Sequence, residues 1–327
     1  MKGGENPVSE NITKNKLLHN IGRAAGDFRP ITADIFLTNF CNNNCPYCTY
    51  KRWEFDDDAA YISYEDFIKY AERLIQLGVL GIILTGGGEP TVNPDFDKIT
   101  RWLEDNHIHY GINTNFNILR YFAPDYLKVS LDAWDEESYK KCRGVERYAT
   151  VRDNIKRYSE WRKTNAPKTS LGIQKVATVP GDVIKFYEAN KDLDVDYIVF
   201  RPIESTAGRY YFTDEEKINA KLIVQRVKYL AKNDSRVKLN FKWNMLQTRF
   251  DKCVAHWSQM ALNERGEVIY CCHKPYEVIG HILDKDIFDK WMYSKTDMSM
   301  CDVPCRLTAP NMFMEEVEKE AKDSMFI

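Results

Sequence analysis

The sequence predicts an α/β protein, a partial (β/α)6 barrel of parallel strands followed by a smaller α+β segment. Three observations lead there. Apolar strand patterns alternate with helical ones six times between residues 31 and 231, a rhythm that implies parallel strands joined by right-handed crossovers. Cysteines, glycines and polar residues fall repeatedly just past the C-terminal ends of those strands. That is the face on which barrel enzymes carry their chemistry, so a barrel is favoured over an open doubly wound sheet. After about residue 235 the rhythm gives way to short strands and a hairpin.

The first strand is expected over 31–37, where apolar residues are dense and alternating, with a cysteine cluster directly after it. Ser63 with Asp66 marks a helix start, and Phe67, Ile68, Ala71, Leu74 and Ile75 repeat at helical spacing until Gly78 ends the element. A short buried strand over 79–84 runs into Thr85-Gly86-Gly87-Gly88-Glu89-Pro90. The pattern continues with a helix over 95–105 and strands over 108–112 and 127–131. A helix over 151–163, a strand over 170–176, a helix over 182–190, a strand over 197–200 and a helix over 214–231 complete it. Beyond it, 237–243 reads as a strand and 260–263 with 268–270 as a hairpin through 264–267. Helices are expected near 286–293 and 311–323. The expected division is an N-terminal extension (1–30), the barrel (31–235) and a C-terminal domain (236–327).

Composition narrows the function. With 46 basic and 48 acidic residues, the chain lacks the electrostatic footprint that usually supplies nucleic-acid affinity. Residues 1–29 are polar, with no apolar run of the kind a secretory signal needs, and 79–84 is far too short to span a bilayer. A cytoplasmic protein is expected. Nine cysteines, clustered, suggest metal ligands in a reducing compartment rather than disulfides.

Cys41, Cys45 and Cys48 place three thiolates within eight residues of loop. Three thiolates on a four-iron cubane leave one iron open to bind and reduce a small molecule. A zinc knuckle is the alternative, but a structural zinc site wants four ligands and no fourth is nearby. This CxxxCxxC, with Tyr47 before its last cysteine, resembles the signature of the radical S-adenosylmethionine (SAM) superfamily. Further motifs follow in the family's order. Gly86-Gly87-Gly88-Glu89 resembles its glycine-rich segment, where glycines let the backbone approach a ligand and Glu89 can pair with the methionine ammonium. A phosphate cradle is the competing reading, without the expected Lys-Ser/Thr. Thr114-Asn115 resembles a ribose-contacting TN(G) motif, with Phe116 where glycine is usual. The resemblance assigns Ser130 and Arg143 to the SAM carboxylate, and a guanidinium suits that bidentate pairing.

Cys253, Gly266 and Cys271 match the CX9-15GX4C opening of SPASM and Twitch domains, C-terminal extensions of one radical SAM subgroup. Together with Cys301 and Cys305 they supply four thiolates, and the resemblance implies one fully ligated auxiliary [4Fe–4S] cluster. Cys272 is the competing ligand at the 271–272 pair, Cys142 is expected to be a packing thiol, and a zinc site is the alternative for the whole group.

The resemblance thus implies a TIM-like partial barrel holding a [4Fe–4S] cluster and SAM, whose reductive cleavage yields a 5′-deoxyadenosyl radical that abstracts a substrate hydrogen. The auxiliary cluster would accept the remaining electron, making the net reaction an oxidation, and a flavodoxin- or ferredoxin-type reductant is implied. A sugar, cyclitol or nucleoside is the expected substrate. About thirty residues before the first strand leave no room for the recognition domain that peptide maturases often carry. Peptide modification is the alternative, and a non-catalytic two-cluster electron carrier the second alternative. Arg201 is the leading substrate-contact candidate. Glu204 is also placed to face the interior, as is one of Gln174 and Lys175, since strand alternation turns only one of that pair inward.

Overall fold

The computed structural model describes residues 29–50, 60–204, 213–244, 246, 250–301 and 304–318. Seven strands lie side by side in chain order: β1 (Thr32–Phe36), β2 (Gly81–Thr85), β3 (His109–Thr114), β4 (Tyr126–Ser130), β5 (Ser170–Val176), β6 (Tyr197–Arg201) and β7 (Val237–Leu239). All six pairings among them are parallel. Because the order never reverses, every crossover carries its helices to the same face, as in a barrel and unlike a doubly wound sheet. The partial barrel expected from the sequence is therefore the observed fold.

The outer layer comprises α1 (Tyr64–Gln76), α2 (Phe96–Asp105), α3 (Glu136–Arg143), α4 (Tyr148–Asn165), α5 (Pro180–Asn190) and α6 (Asp214–Ala231). Helix α1 starts where expected, with the Ser63 side chain accepting from Asp66 N, and packs Phe67, Ala71 and Leu74 inward. One row of each strand buries Ile35, Leu84, Ile112, Leu127, Leu171 and Ile198 against those helices. At about 25 cal/mol per Å2 of apolar area, this continuous layer is the dominant stabilising term. Two connections differ from the expected rhythm. No helix joins β3 to β4; the loop instead sends Phe116 and Phe122 into the core. An additional helix, α3, precedes α4.

The segment after β7 continues the same sheet rather than starting another. Leu239 ends the expected 237–243 strand, and Phe241–Asn244 is a 3-10 turn. The hairpin β8 (Gln259–Leu262) and β9 (Glu267–Ile269) then returns to the opposite edge, where β8 pairs in parallel with β1. With β10 (Val278–His281) the order is β10-β9-β8-β1-β2-β3-β4-β5-β6-β7. Helices α7 (Ile287–Met292) and α8 (Thr308–Glu318) close the described chain, so the part of the expected 311–323 helix beyond 318 lies outside the described residues.

Strand alternation turns the other row of each strand to the concave interior. Its lower end is closed by aromatic rings. A Cβ on Gly111 would lie 2.0 Å from the Tyr126 ring, and one on Gly172 would lie 2.1 Å from the Tyr197 ring, so each tyrosine lies flat across a glycine of the adjacent strand. Above that floor the interior is polar.

Candidate active site

The loop that follows β1 carries Cys41, Cys45 and Cys48 and is pinned on two sides. On one, Gly88 N donates to Thr38 O (2.8 Å) and Glu89 N to Phe40 O (2.9 Å). A Cβ on Gly88 would stand 1.9 Å from Phe40 O, so the two backbones meet this closely only because residue 88 is glycine. On the other, Asn44 N donates to Arg143 O (2.8 Å), and Gly144, at φ +75°, ends α3 beneath Asn44.

Donors gather round the sulfurs. Asn43 N lies 3.4 Å from Cys41 Sγ, Asn115 Nδ2 3.9 Å from the same sulfur, and Arg143 Nη1 3.6 Å from Cys45 Sγ. Burial, then the Glu89 carboxylate, pushes the Cys41 thiol up to about 12. Among the described residues no three His, Cys, Asp or Glu side chains are gathered closely enough for a metal ion. Three thiols on one loop, with amide and guanidinium donors aimed at two of them, fit an iron–sulfur cluster in donor type and in charge.

Neighbouring side chains tie the strand ends together around this loop. Glu89, buried, accepts from Thr91 N and Oγ1, from Thr114 Oγ1 and from Asn115 N (2.7 Å), and burial raises its pKa despite those donors. Its carboxylate is spent on joining the β2 and β3 ends. Asn115 Nδ2 also donates to Asn42 Oδ1 (2.7 Å). Phe116 adopts the φ of +59° that the usual glycine would take without strain, and its fully buried ring packs edge-on to Tyr158 at 5.7 Å. Gly87 lies against the Tyr50 ring, and Gly86 against the Phe36 backbone.

Asp132, fully buried at φ +58°, belongs to the Ser130-Leu131-Asp132 segment that resembles the family's S(L/I)D motif, in which a role is expected only of Ser130. Its carboxylate accepts from the Arg143 guanidinium, from Tyr47 OH (3.1 Å) and from Val176 N. Arg143 is thus oriented by Asp132 toward Cys45, and burial with the Asp132 charge holds the Tyr47 hydroxyl protonated. Ser130 and Gln174 sit in one inward row with Val199 and Lys238. Lys175 turns outward, donating to Asp132 O (2.8 Å) with its ammonium over Trp134. Of that pair Gln174 faces the interior. Cys142, half-buried, lies 4.0 Å from Asp132 O.

The second thiol group assembles from four separate stretches. Burial and the charges of Cys272, Cys305 and Cys253 raise Cys271 well above the ordinary thiol range, and burial with the Cys305 and Cys253 charges pushes Cys301 up to about 12 against the lowering effect of Lys274. Cys253 Sγ accepts from Asn311 Nδ2 (3.5 Å), and Cys305 Sγ from Leu307 N (3.3 Å). Cys272 is held differently: Arg306 Nη2 donates to its sulfur at 2.8 Å, and it packs beside Phe36, Ala261 and Ile269. The four thiols match a fully ligated cluster in donor number and type, although no three of them are drawn together to metal-binding distance.

Inside the barrel, Asp34 accepts from Gln259 Nε2 (2.6 Å) and from Arg306. Glu204 is paired with Arg201 (3.1 Å) and Lys242 and lies 3.7 Å from His273. Burial alone would raise its carboxyl, but Lys242, His273 and Arg201 outweigh it and hold Glu204 well below the usual range. Arg201 ends β6 on the inward row, so it faces the cavity while carrying an ion pair.

A parallel barrel with a three-thiol loop at the C-terminal ends of its strands defines a class of cluster-dependent enzymes. Residues 35–169 match the model of the radical SAM superfamily, so the chain carries a radical SAM domain. A radical SAM domain implies a [4Fe–4S] cluster and SAM. The chain is 31% identical over 148 residues (43% of this chain, 46% of the relative) to a probable GTP 3′,8-cyclase of Saccharolobus islandicus. It is 31% identical over 159 residues (46% and 38%) to an uncharacterized protein of Archaeoglobus fulgidus. The chain thus spans about half the length or less of these curated relatives. Among solved structures, native anSMEcpe with bound AdoMet superimposes at TM-score 0.61 and 17% identity, covering 81% of each chain. Streptococcus suis SuiB bound to precursor peptide SuiA gives 0.59 and 16%, covering 99% of this chain and 75% of that one. Among the described residues no helix is long and apolar enough to cross a membrane.

Proposed function

We propose that this enzyme oxidises a small metabolite (a sugar, cyclitol or nucleoside) at a C–H bond, with its radical generated beside the Cys41–Cys45–Cys48 loop. The observation that carries the reading is the convergence on that loop of Gly88 and Asn115 from two strand ends and of Arg143 from the end of α3. Cys41, Cys45 and Cys48 would hold the cluster and leave one iron for the amino and carboxylate groups of SAM. When bound, the cluster and SAM supply a reductive cleavage to methionine and a 5′-deoxyadenosyl radical able to take a substrate hydrogen. Cys253, Cys271, Cys301 and Cys305 would hold the auxiliary cluster, which would supply an acceptor for the remaining electron.

The protein's own residues position and insulate. Gly86, Gly87 and Gly88 let the cysteine loop and the Tyr50 ring pack closely against the end of β2, and Asn115 would contact the SAM ribose. Arg143 is the cation nearest Cys45, and Asp132 fixes its direction. Tyr126 and Tyr197 close the floor against water. Arg201 reaches the substrate from β6. The name of the matched relatives, GTP 3′,8-cyclase, supports the nucleoside end of the substrate range. Peptide modification is the second reading, favoured by the fold shared with SuiB, whose structure holds a precursor peptide. A flavodoxin- or ferredoxin-type protein would supply the reducing electron.

Anaerobic incubation of the reconstituted enzyme with SAM and dithionite tests the proposal. Formation of 5′-deoxyadenosine, lost in Cys48→Ser, is expected. A Cys48→Ser variant that forms it at the parental rate would overturn the assignment of the loop.

A further inference from the structure

The barrel interior is more cationic than any contact described above requires. Lys128, Arg201, Lys242 and Arg306 converge there and face two carboxylates, Asp34 and Glu204. Both carboxylates are already engaged: Arg306 holds Asp34, while Arg201 and Lys242 share Glu204. Lys128 is left over. It stands on the inward row of β4, level with Asn113 and Gly172, with Tyr126 two residues below it. Among the described residues it has no hydrogen-bond or ion-pair partner. Arg201 Nε and Asn113 Oδ1 are buried without a hydrogen-bond partner.

Among the described residues, setting these four cations against two carboxylates is electrostatically costly unless something anionic enters. Burial and the charges of Arg201, Lys242 and Arg306 push Lys128 down to about 7, so the charged form is disfavoured by its surroundings. A doubly charged oxyanion would offset the surplus and give Lys128 and Arg201 Nε acceptors. Neutral sugars or apolar peptide side chains would leave it uncompensated.

We propose that the substrate of this enzyme is an anion whose phosphate or carboxylate group is bound inside the barrel by Lys128 and Arg201, with Lys242 and Arg306 reinforcing the field. This inference rests on reading the barrel interior as the substrate chamber. It names the chemical class that the proposed oxidation acts on.

The test is calorimetric titration of the full-length reconstituted enzyme, saturated with SAM so that the SAM carboxylate does not compete, at low ionic strength. Inorganic pyrophosphate and succinate are the two probes, and whichever binds more tightly separates a phosphate-bearing from a carboxylate-bearing substrate. One equivalent per chain of at least one probe is expected to bind. Lys128→Met should weaken that binding at least tenfold, Lys128→Arg should keep it within about threefold, and Lys69→Met, on exposed α1, should leave it unchanged. Saturable binding by neither probe, or equal binding by parent and Lys128→Met, overturns the inference. Formation of 5′-deoxyadenosine is measured on the same samples. If it persists without probe binding, this inference alone fails; if it is absent while the probe binds as expected, the radical reading fails and the anion site stands.

Discussion

Substituting Gly88 by alanine places one methyl group between two backbones that cannot both stay where they are. The added Cβ would lie 1.9 Å from Phe40 O and 2.5 Å from its carbonyl carbon. Because the obstacle is backbone, no rotamer relieves it, and the cysteine loop must move away from the end of β2. Two hydrogen bonds go with it, Gly88 N to Thr38 O and Glu89 N to Phe40 O, each contributing about 1 kcal/mol. Overpacking adds roughly 1–3 kcal/mol, so the expected loss is about 3–5 kcal/mol. Gly181→Ala in α5 is the control, since a Cβ there meets nothing within 4 Å. Urea denaturation of anaerobically prepared enzyme, with iron content measured alongside, should show Gly88→Ala losing stability and iron together while Gly181→Ala matches the parent. If Gly88→Ala shares the parent's midpoint and iron content, the pinning of this loop by the glycine segment is refuted.

Asp132→Asn keeps the shape and tolerates φ +58° but leaves the buried Arg143 charge uncompensated, so a loss of roughly 3–5 kcal/mol is expected by urea denaturation. At residue 116 the usual order of alanine and glycine should invert. Both lose the buried ring, roughly 3–5 kcal/mol, but only glycine relieves the left-handed backbone, so Phe116→Gly should exceed Phe116→Ala by about 1 kcal/mol; the reverse order contradicts the strain. Lys128 has a folded-state pKa of about 7, below its ordinary 10.5, so between those values the unfolded chain binds more protons and stability rises with pH. Lys128→Met should be more stable than the parent at pH 6 and lack that rise, read as Tm against pH in phosphate-free buffer. An unchanged slope would contradict the lowered Lys128 pKa.

Much of the fold was legible because its signals are local. Ser63 caps α1 as read, and residues 170–176 and 214–231 are elements with the expected ends. Helix α3 escaped because only Ser138, Tyr139 and Arg143 of its eight residues are buried, too few for an apolar period. Its readable signal was the Asp135–Ser138 capping box with Gly144 beyond the end. Strand 237–243 was overextended because Phe241 and Trp243 continue an alternation that the chain leaves after Leu239. The pairing of β8 with β1 has no local signal at all, since period fixes a strand and not its neighbour. The same limit applied to the site. Cysteine and glycine spacing marked the loop, whereas the Arg306–Asp34 pair, 272 residues apart in sequence, and the chamber around Lys128 exist only once the barrel closes.

The most direct test of the account is iron and labile-sulfide content with Mössbauer spectra, on anaerobically purified parent and on the triple variant Cys41→Ala, Cys45→Ala, Cys48→Ala. The account predicts two [4Fe–4S] clusters in the parent and one in the variant. A variant that keeps all of the parent's iron would contradict the assignment of the three-thiol loop, and an iron-free variant would contradict the cluster assigned to Cys253, Cys271, Cys301 and Cys305.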